Sequence, residues 1–324
     1  MAQLTNAVVT SNISSSPGYS PHFSWDYSGI AAVVVLSICF LLGFPGNIAV
    51  IILKPNWENM SSLTQSLMLN LAVSGLLCMF TIPFWIYSFL NSWTLGLVGC
   101  KIITYFGYCS IYASLLTVTV MSVQRYFQVV YLQRNLNHIQ AWKLLVPLWL
   151  VAMILSIPAL VVRQLVEQSD WTYCKHQYYS VNQSMAVLLA EILVGFVSVS
   201  VNVFSYICLY REVNQAAFFN NPQTTRLITS IIVTFFVVWV PCLAINVLGV
   251  AAISLNNKDL LKFCEAAWGT VTALTFANGA VNPLLYAFTS NGLSTLCQKN
   301  AEHLMQKLRI PPQSKSANTV SDVR

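Results

Sequence analysis

Residues 228–253 have the sequence ITSIIVTFFVVWVPCLAINVLGVAAI, which contains no charged side chain. A helix of about 20 predominantly apolar residues crosses the hydrocarbon core of a bilayer, so this stretch is long enough to span a membrane. The chain contains seven stretches of this character, at 29–53, 62–90, 99–130, 141–163, 185–210, 225–253 and 264–288. Backbone polar groups must be satisfied internally within lipid, so we predict an all-α membrane protein, a bundle of seven transmembrane helices.

The composition supports a membrane protein that uses nearly the whole chain for one domain. Of the 324 residues, 56% are hydrophobic and only 8% are charged, whereas roughly 25% are charged in an ordinary soluble domain. The connectors are too short for a second globular domain. We expect an extracellular tail over 1–28, the seven-helix domain over 29–289, a short amphipathic cytoplasmic helix over 290–309 and a cytoplasmic tail over 310–324.

The distribution of basic residues predicts the orientation of the chain. With the N-terminus outside, eleven of the sixteen Lys and Arg residues fall on the cytoplasmic side, as the positive-inside rule requires. The net charge of +6 then reflects topology. The basic residues form no clustered stripe of the kind that binds nucleic acid, so no nucleic-acid partner is expected.

Outward topology exposes two glycosylation sequons, which begin at Asn12 and Asn182. Cys100 and Cys174 also fall at predicted outer positions, in the oxidising compartment, which makes a bridge between them a hypothesis. Cys297 lies in the amphipathic stretch after the last span, where it is a candidate for acylation or a free thiol.

Three short motifs mark the inner ends and bends of the spans. Gln124-Arg125-Tyr126 lies 25 residues after Cys100, which is about 37 Å of helix and places Arg125 at the inner face. Arg125 is either a boundary cation or a functional one. Phe235, Trp239 and Pro241 form a Phe-x-x-x-Trp-x-Pro pattern, in which the proline bends the helix beside a bulky ring. A second bend is expected in 282–286, Asn-Pro-Leu-Leu-Tyr.

These motifs and their order resemble the rhodopsin-like G-protein-coupled receptors over about residues 29–305. The matching elements are Gly46-Asn47, Trp93 before Cys100, Arg125-Tyr126, Trp149, Cys174, Phe235-Trp239-Pro241 and Asn282-Pro283-Tyr286. The resemblance implies a plasma-membrane receptor with an outer ligand pocket, a Cys100–Cys174 bridge and an inner cavity for a heterotrimeric G protein or arrestin. It implies no enzyme activity, cofactor or metal, and its activation residues are Arg125, Tyr126, Tyr206, Phe235, Trp239, Asn282, Pro283 and Tyr286.

A narrower resemblance is to the leukotriene B4 receptors. It rests on 43–47, Gly-Phe-Pro-Gly-Asn, on 112–116, Tyr-Ala-Ser-Leu-Leu, and on Glu191 followed by Gly195-Phe196. Arg163 stands where those receptors have a pocket arginine. Chemoattractant-peptide receptors share much of the pattern, so a receptor for a chemotactic peptide is the alternative.

Two departures from the family pattern bear on signalling. Gly75 replaces the acid that the family usually has in the second helix, which with Ser114, Asn278 and Asn282 would hold a sodium ion. Gln124 replaces the acid that normally pairs with the arginine of the third helix. An orphan or atypical receptor with weak or silent G-protein coupling is therefore a further alternative.

The ligand class is predicted from the outer half of the bundle. Gly107 stands where aminergic receptors have an aspartate, and 264–288 contains no lysine for a retinal Schiff base. Arg163 and Glu191 are ionisable residues at membrane depth, which mark a functional site unless they merely pair with each other. The predicted ligand-binding residues are Arg163, Glu191, Tyr108, Tyr112, Trp239 and Asn246. They suit an elongated carboxylate lipid mediator with hydroxyl groups.

Two other classes of function fit the sequence poorly. A transporter or channel needs a polar pathway through the full membrane depth, and neither such a pathway nor an internal repeat is evident. An intramembrane enzyme needs a metal-binding pair, a nucleophile motif or opposed carboxylates, and the spans have none of these.

Overall fold

The computed structural model of the chain describes residues 27–53, 61–130, 140–168, 171–215 and 222–289. In chain order the elements are α1 (Tyr27–Leu53), α2 (Ser62–Leu90), α3 (Gly96–Val130), α4 (Trp142–Leu155), α5 (Ile157–Val162), β1 (Arg163–Gln168), β2 (Trp171–His176), α6 (Val181–Gln215), α7 (Pro222–Ser254) and α8 (Lys258–Thr289). α4 and α5 together make one crossing, so the predicted seven-helix membrane bundle is confirmed. The amphipathic helix expected over 290–309 lies outside the described residues.

Six of the crossings are long and apolar enough to span a bilayer by length and composition alone. They are α1, α2, α3, the α4–α5 pair, α6 and α7. α8 is the seventh, and its first turns carry Lys258, Asp259, Lys262 and Glu265. These charges explain why the sequence predicted the seventh span to begin only at residue 264.

The fourth crossing ends earlier than the sequence predicted. Ser156 separates α4 from α5, and its hydroxyl donates a hydrogen bond of 2.7 Å to the carbonyl of Ala152. Pro158 lies in the first turn of α5, where the absence of an N–H costs no helical hydrogen bond. α5 ends at Val162, and Arg163 has the extended φ of −77° and ψ of 124°. The helical part of this crossing therefore ends at Val162, one residue before the approximate end near 163 that the sequence predicted.

The connection between α5 and α6 contains an antiparallel hairpin that the sequence did not predict. Its strands pair from Arg163 opposite His176 to Gln168 opposite Trp171. The Cys100–Cys174 disulfide ties β2 to the outer end of α3. Trp93 donates its backbone N–H to Thr172 at 2.8 Å, so the hairpin is also fixed to the segment before α3. The hairpin therefore covers the end of the bundle that the sequence predicts to be extracellular, which is called the outer end below.

The apolar core lies between α2, α3, α4 and α7. Its most deeply buried side chains include Leu67, Met68, Leu71, Leu115, Val118, Met121, Ile231 and Phe235. α1, α2 and α8 approach each other closely at glycines. A Cβ atom on Gly43 would lie 2.5 Å from the Met79 sulfur, and one on Gly75 would lie 2.7 Å from Asn47 Oδ1.

Candidate functional site

Arg163 is held at the outer end of the bundle by contacts on two sides. Its Nη1 donates a hydrogen bond of 2.8 Å to the carbonyl of Cys174. Its guanidinium carbon lies 5.0 Å from the centroid of the Trp85 ring, a cation–π contact. The Nε–H is buried and has no hydrogen-bond partner among the described residues. One donor of the guanidinium is thus left for an acceptor that the chain does not supply.

Burial also affects the charge state of this end of the pocket. Burial lowers the pKa of the Arg163 guanidinium, while Tyr108 and Tyr178 oppose that shift. A guanidinium nevertheless stays protonated in proteins. Burial raises the pKa of Tyr178 to about 12, with Glu191 raising it further and Arg163 lowering it. Tyr178 therefore lies within electrostatic reach of both charged residues of the pocket.

Glu191 forms the other charged end of the pocket. Asn246 of α7 donates from Nδ2 to Glu191 Oε2 at 2.9 Å. Trp268 of α8 donates from Nε1 to Asn246 Oδ1 at 3.3 Å. The three side chains form a hydrogen-bonded chain across α6, α7 and α8. The carboxylate is thereby satisfied by a neutral amide.

Arg163 and Glu191 do not form an ion pair among the described side chains. Arg163 donates to a backbone carbonyl, and Glu191 accepts from Asn246. The alternative that Arg163 and Glu191 merely pair with each other is therefore not supported. The pocket has a positive end and a negative end, and both act electrostatically on Tyr108, which lies on α3.

Aromatic rings line the pocket between these ends and below them. The rings of Tyr108 and Tyr112 lie 6.1 Å apart on one face of α3. Trp239 stacks on Phe235 with centroids 6.0 Å apart. Tyr112 is 7% exposed and Trp239 is 8% exposed, so both rings are buried inside the bundle. Such a wall favours a ligand with an apolar body.

A small cavity with several polar residues in its lining lies deeper in the bundle. The cavity has a volume of about 10 Å³. It is lined by Ser74, Gly75, Cys78, Ser110, Ile111, Ser114, Trp239, Thr275, Asn278 and Gly279. Asn278 Nδ2 donates to Ser114 Oγ at 3.0 Å, while Asn278 Oδ1 and Trp239 Nε1 are buried and have no hydrogen-bond partner in the described part of the chain. The lining contains no carboxylate, so these residues fit water better than a hard cation.

At the inner end of α3, Arg125 bonds to a neutral side chain rather than to an acid. Gln124 Nε2 donates to Thr64 Oγ1 at 2.9 Å and to Ser61 Oγ at 3.3 Å, which ties α3 to the first turn of α2. Arg125 Nη1 donates to Gln128 Oε1 at 3.2 Å. Arg125 Nε is buried without a hydrogen-bond partner in the described part of the chain. Gln124 thus stabilises the α2–α3 contact and leaves Arg125 with a neutral acceptor.

A polar contact between α3 and α6 lies one turn further out. Ser122 Oγ donates to Asn202 Oδ1, and Asn202 Nδ2 donates to Thr119 Oγ1 at 3.3 Å and to the Ser198 carbonyl at 2.7 Å. Asn202 is fully buried. Nothing in the sequence singled it out, because one asparagine in a long apolar stretch does not show which helix it faces. Its contacts fix α6 against α3 beside the inner end of the bundle.

Comparison with known proteins decides the family. The sequence model of the 7 transmembrane receptor (rhodopsin family) matches residues 46–286. The chain belongs to the rhodopsin family of seven-transmembrane receptors. It is a receptor and not an enzyme.

Three relatives show which receptors it resembles. The human leukotriene B4 receptor 1 is 29% identical over 289 residues, covering 84% of this chain and 80% of the relative. The rat leukotriene B4 receptor 2 is 32% identical over 293 residues, covering 86% and 80%. The human C-C chemokine receptor type 8 is 27% identical over 294 residues, covering 85% and 81%. The predicted resemblance to leukotriene B4 receptors is thus confirmed. The chain is also similar to a chemokine receptor.

The structure brings most of the residues predicted for this receptor's ligand site to one end of the bundle. Glu191 bonds to Asn246, Arg163 and Glu191 both act electrostatically on Tyr108, and Tyr112 packs beside Tyr108. Trp239 borders the cavity in the middle of the bundle. Sequence reasoning missed Trp85, Trp268, His176 and Tyr178, which are contributed by α2, α8 and the hairpin region. The spacing of these four aromatic residues carries no signal, because the hairpin register and the helix packing bring them together.

The residues predicted for activation are distributed along the inner half. Phe235 and Asn282 are buried, and both amide atoms of Asn282 lack hydrogen-bond partners within the described residues. Pro283 packs near α1, since a Cβ on Gly46 would lie 2.8 Å from its ring. Tyr126 has its ring 5.8 Å from Phe204, whereas Tyr206 is 37% exposed on the outside of α6.

The remaining predicted sites are only partly described. Asn182 is exposed in the first turn of α6, at the same end of the bundle as the hairpin. Asn12, Cys297 and the side chain of Tyr286 lie outside what the structure describes.

Proposed function

We propose that this receptor binds a carboxylate lipid mediator of the leukotriene B4 type in its outer pocket and signals through a heterotrimeric G protein. The observation that carries the proposal is the buried Nε–H of Arg163, which has no hydrogen-bond partner among the described residues and lies beside the Trp85 ring. An unpartnered buried donor is costly, and a carboxylate accepts from a guanidinium with strong, charge-assisted hydrogen bonds. The similarity to two leukotriene B4 receptors supports the same ligand class.

The negative end of the pocket adds a requirement to the proposed ligand. Glu191 and Asn246 together offer acceptors and a donor at the α6–α7 side of the pocket. A lipid that carries hydroxyl groups along its apolar body satisfies both ends, whereas a plain fatty acid satisfies only Arg163. We expect the hydroxylated acid to bind more tightly than the unsubstituted acid of the same length.

The topology and the intracellular partners belong to the same proposal. The receptor domain spans 29–289 of a multi-pass plasma-membrane protein, with the hairpin and the exposed Asn182 sequon outside and the Arg125 end inside. The G protein, and arrestin after it, would bind at the Arg125 end. The excess of Lys and Arg on that side supports this orientation.

A receptor for a chemoattractant peptide is the second candidate. The similarity to the human C-C chemokine receptor type 8 favours it. The pocket distinguishes the two candidates by charge, because a peptide contributes ammonium and guanidinium groups that would pair with Glu191. A peptide ligand should therefore lose more affinity with Glu191→Gln than with Arg163→Ala, and a carboxylate lipid should show the reverse.

The experiment is a binding measurement on membranes that contain the full-length receptor. Arg163→Ala should weaken leukotriene B4 binding by about tenfold to a hundredfold, the scale of a hydrogen bond to a charged group. Arg163→Lys should recover only part of the loss, because an ammonium cannot reproduce the planar fork. The methyl ester should bind to the unmodified receptor about as weakly as the acid binds to Arg163→Ala.

A matched control tests whether any cation on the hairpin would have the same effect. Lys175 lies one residue from His176 on β2, on the other face of the hairpin, with its ammonium 4.2 Å from the Tyr173 ring centroid. Lys175→Ala should leave leukotriene B4 affinity unchanged. Equal losses for Lys175→Ala and Arg163→Ala, or equal affinities for the acid and its ester, would refute the assignment.

A further inference from the structure

His176 is placed beside Arg163 by the register of the hairpin. The two residues are direct partners in the antiparallel ladder of β1 and β2. Side chains directly opposite each other in such a ladder share one face of the sheet, with Cβ atoms about 4.5–5.5 Å apart. Lys175 points to the opposite face because successive side chains alternate along a strand. Arg163 and His176 are thus the two basic groups that the hairpin presents to the pocket.

Aromatic rings surround His176 on the pocket side. The His176 ring meets Trp268 of α8 edge to face, with centroids 4.8 Å apart. Tyr108 of α3 and Tyr178 each lie 6.3 Å from it. A cation that lies over the face of such a ring, within about 6 Å of its centroid, gains a cation–π attraction that a neutral group lacks.

The charges that face His176 oppose its protonation in the empty pocket. Burial, followed by the positive charge of Arg163, lowers the pKa of His176 well below its ordinary value. The other titratable groups around it are the phenols of Tyr108 and Tyr178, which are neutral at physiological pH. Glu191 acts on those phenols rather than on the imidazole, and Glu265 is exposed on α8. Among the described residues, nothing in this shell supplies a negative charge beside His176.

We propose that His176 is a proton-linked ligand contact: a carboxylate bound by Arg163 causes His176 to take up a proton, so that two cations hold the acid. This inference rests on the proposed function, because it requires an anion at Arg163. An anion there offsets the positive charge that keeps the imidazole neutral and adds an acceptor on the face that the two residues share. The methyl ester adds no negative charge and causes no proton uptake.

The sign of the pH dependence follows from this linkage. His176 has a higher pKa in the complex than in the empty receptor, so binding takes up a proton between those two values. The extra affinity is fully present below the pKa of the empty receptor and is lost as pH rises through the pKa of the complex. Within that window the affinity for the acid falls by up to about tenfold per pH unit.

The test measures equilibrium binding of radiolabelled leukotriene B4 to full-length receptor in membranes, from about pH 6 to about pH 8 at constant ionic strength. The unmodified receptor should bind the acid about threefold or more tighter at the acidic end, within the limit that one proton sets. His176→Gln, which cannot titrate, should bind with an affinity independent of pH. Glu191→Gln should keep the slope, which excludes Glu191 as its source.

Three outcomes are distinguishable. The role of His176 is overturned if the pH slope is equal in the unmodified receptor and His176→Gln, or if both profiles are flat. In either case, tighter binding of the acid than of the ester at the alkaline end still supports the proposed function. Equal binding of acid and ester at every pH, or no saturable leukotriene B4 binding, overturns both. If His176→Gln reaches the surface poorly, His176→Phe keeps the ring packing against Trp268 without a titratable group, and a slope that persists in it refutes the inference.

Discussion

Replacing Gln124 with aspartate should lower the activity of the receptor without ligand. The side chain of Gln124 bonds to Thr64 and Ser61, and Arg125 has a neutral acceptor, Gln128 Oε1 at 3.2 Å. The Nε–H of Arg125 is buried without a partner among the described residues. A carboxylate at position 124 would give the guanidinium a charged neighbour in the resting state. Arg125 must leave that neighbour in any active state that uses it to contact a G protein, so the acid favours the resting state.

The size of the effect follows from the geometry. Side chains at adjacent helix positions do not face each other, so the charges would lie about 5–6 Å apart, where the attraction is about 3 kcal/mol at an effective dielectric constant near 20. Desolvation of the new carboxylate, together with the lost amide bonds to Thr64 and Ser61, offsets much of this. A net effect of about 1 kcal/mol remains, which reduces the active population about fivefold.

The assay is ligand-independent G-protein activation in membranes, normalised to the number of receptors at the surface. Gln124→Leu removes the bonds to α2 without adding a charge, and it should not quieten the receptor. Gln128→Ala removes the neutral acceptor of Arg125 and should raise basal activity. Equal basal activity in Gln124→Asp and Gln124→Leu would show that the missing acid at position 124 does not control the resting state.

Two further predictions concern the outer disulfide and the cavity in the middle of the bundle. Cys100→Ser and Cys174→Ser should each abolish surface delivery or ligand binding, and the double variant should be no worse, because each change removes the same bond; normal binding by either single variant would contradict a required bridge. Gly75→Asp should make agonist affinity sensitive to sodium, since it returns a carboxylate to the neutral lining of the cavity. If agonist affinity stays constant when sodium replaces a bulky inert cation, the cavity cannot hold the ion. The same change should cost about 1–3 kcal/mol of stability, because the new Cβ would lie 2.7 Å from Asn47 Oδ1, and an unchanged melting temperature would refute that packing argument.

The membrane helices were predictable because their signal is local. A stretch such as 228–253 must be helical in lipid whatever its neighbours are, and the predicted bounds of α2 agree with the structure at both ends. The hairpin gave no such signal, since neither RQLVEQ nor WTYCKH alternates cleanly between apolar and polar residues. Its strands form because the disulfide at Cys174 and the backbone bond at Trp93 hold them over the bundle.

The candidate site was predictable only where a residue is unusual for its surroundings. Arg163 and Glu191 stand out because charges are costly at membrane depth. His176 ends its strand and Trp268 lies within a long helix, and only the strand register and the packing of α8 bring the two rings together. The same limit hid Asn202, whose partners on α3 are some 80 positions away in the chain.

The two arginines explain how one bundle can respond at both ends. Each is partly buried, each donates to a neutral oxygen, and each retains a buried Nε–H without a hydrogen-bond partner among the described residues. Burying a cation without an acid costs free energy that a partner from outside the chain can offset. At Arg163 that partner is the proposed carboxylate ligand, and at Arg125 it is the proposed G protein. The cavity between them has no charged residue in its lining, so we propose that the packing of Trp239 on Phe235 and the α3–α6 contact at Asn202 couple the two ends.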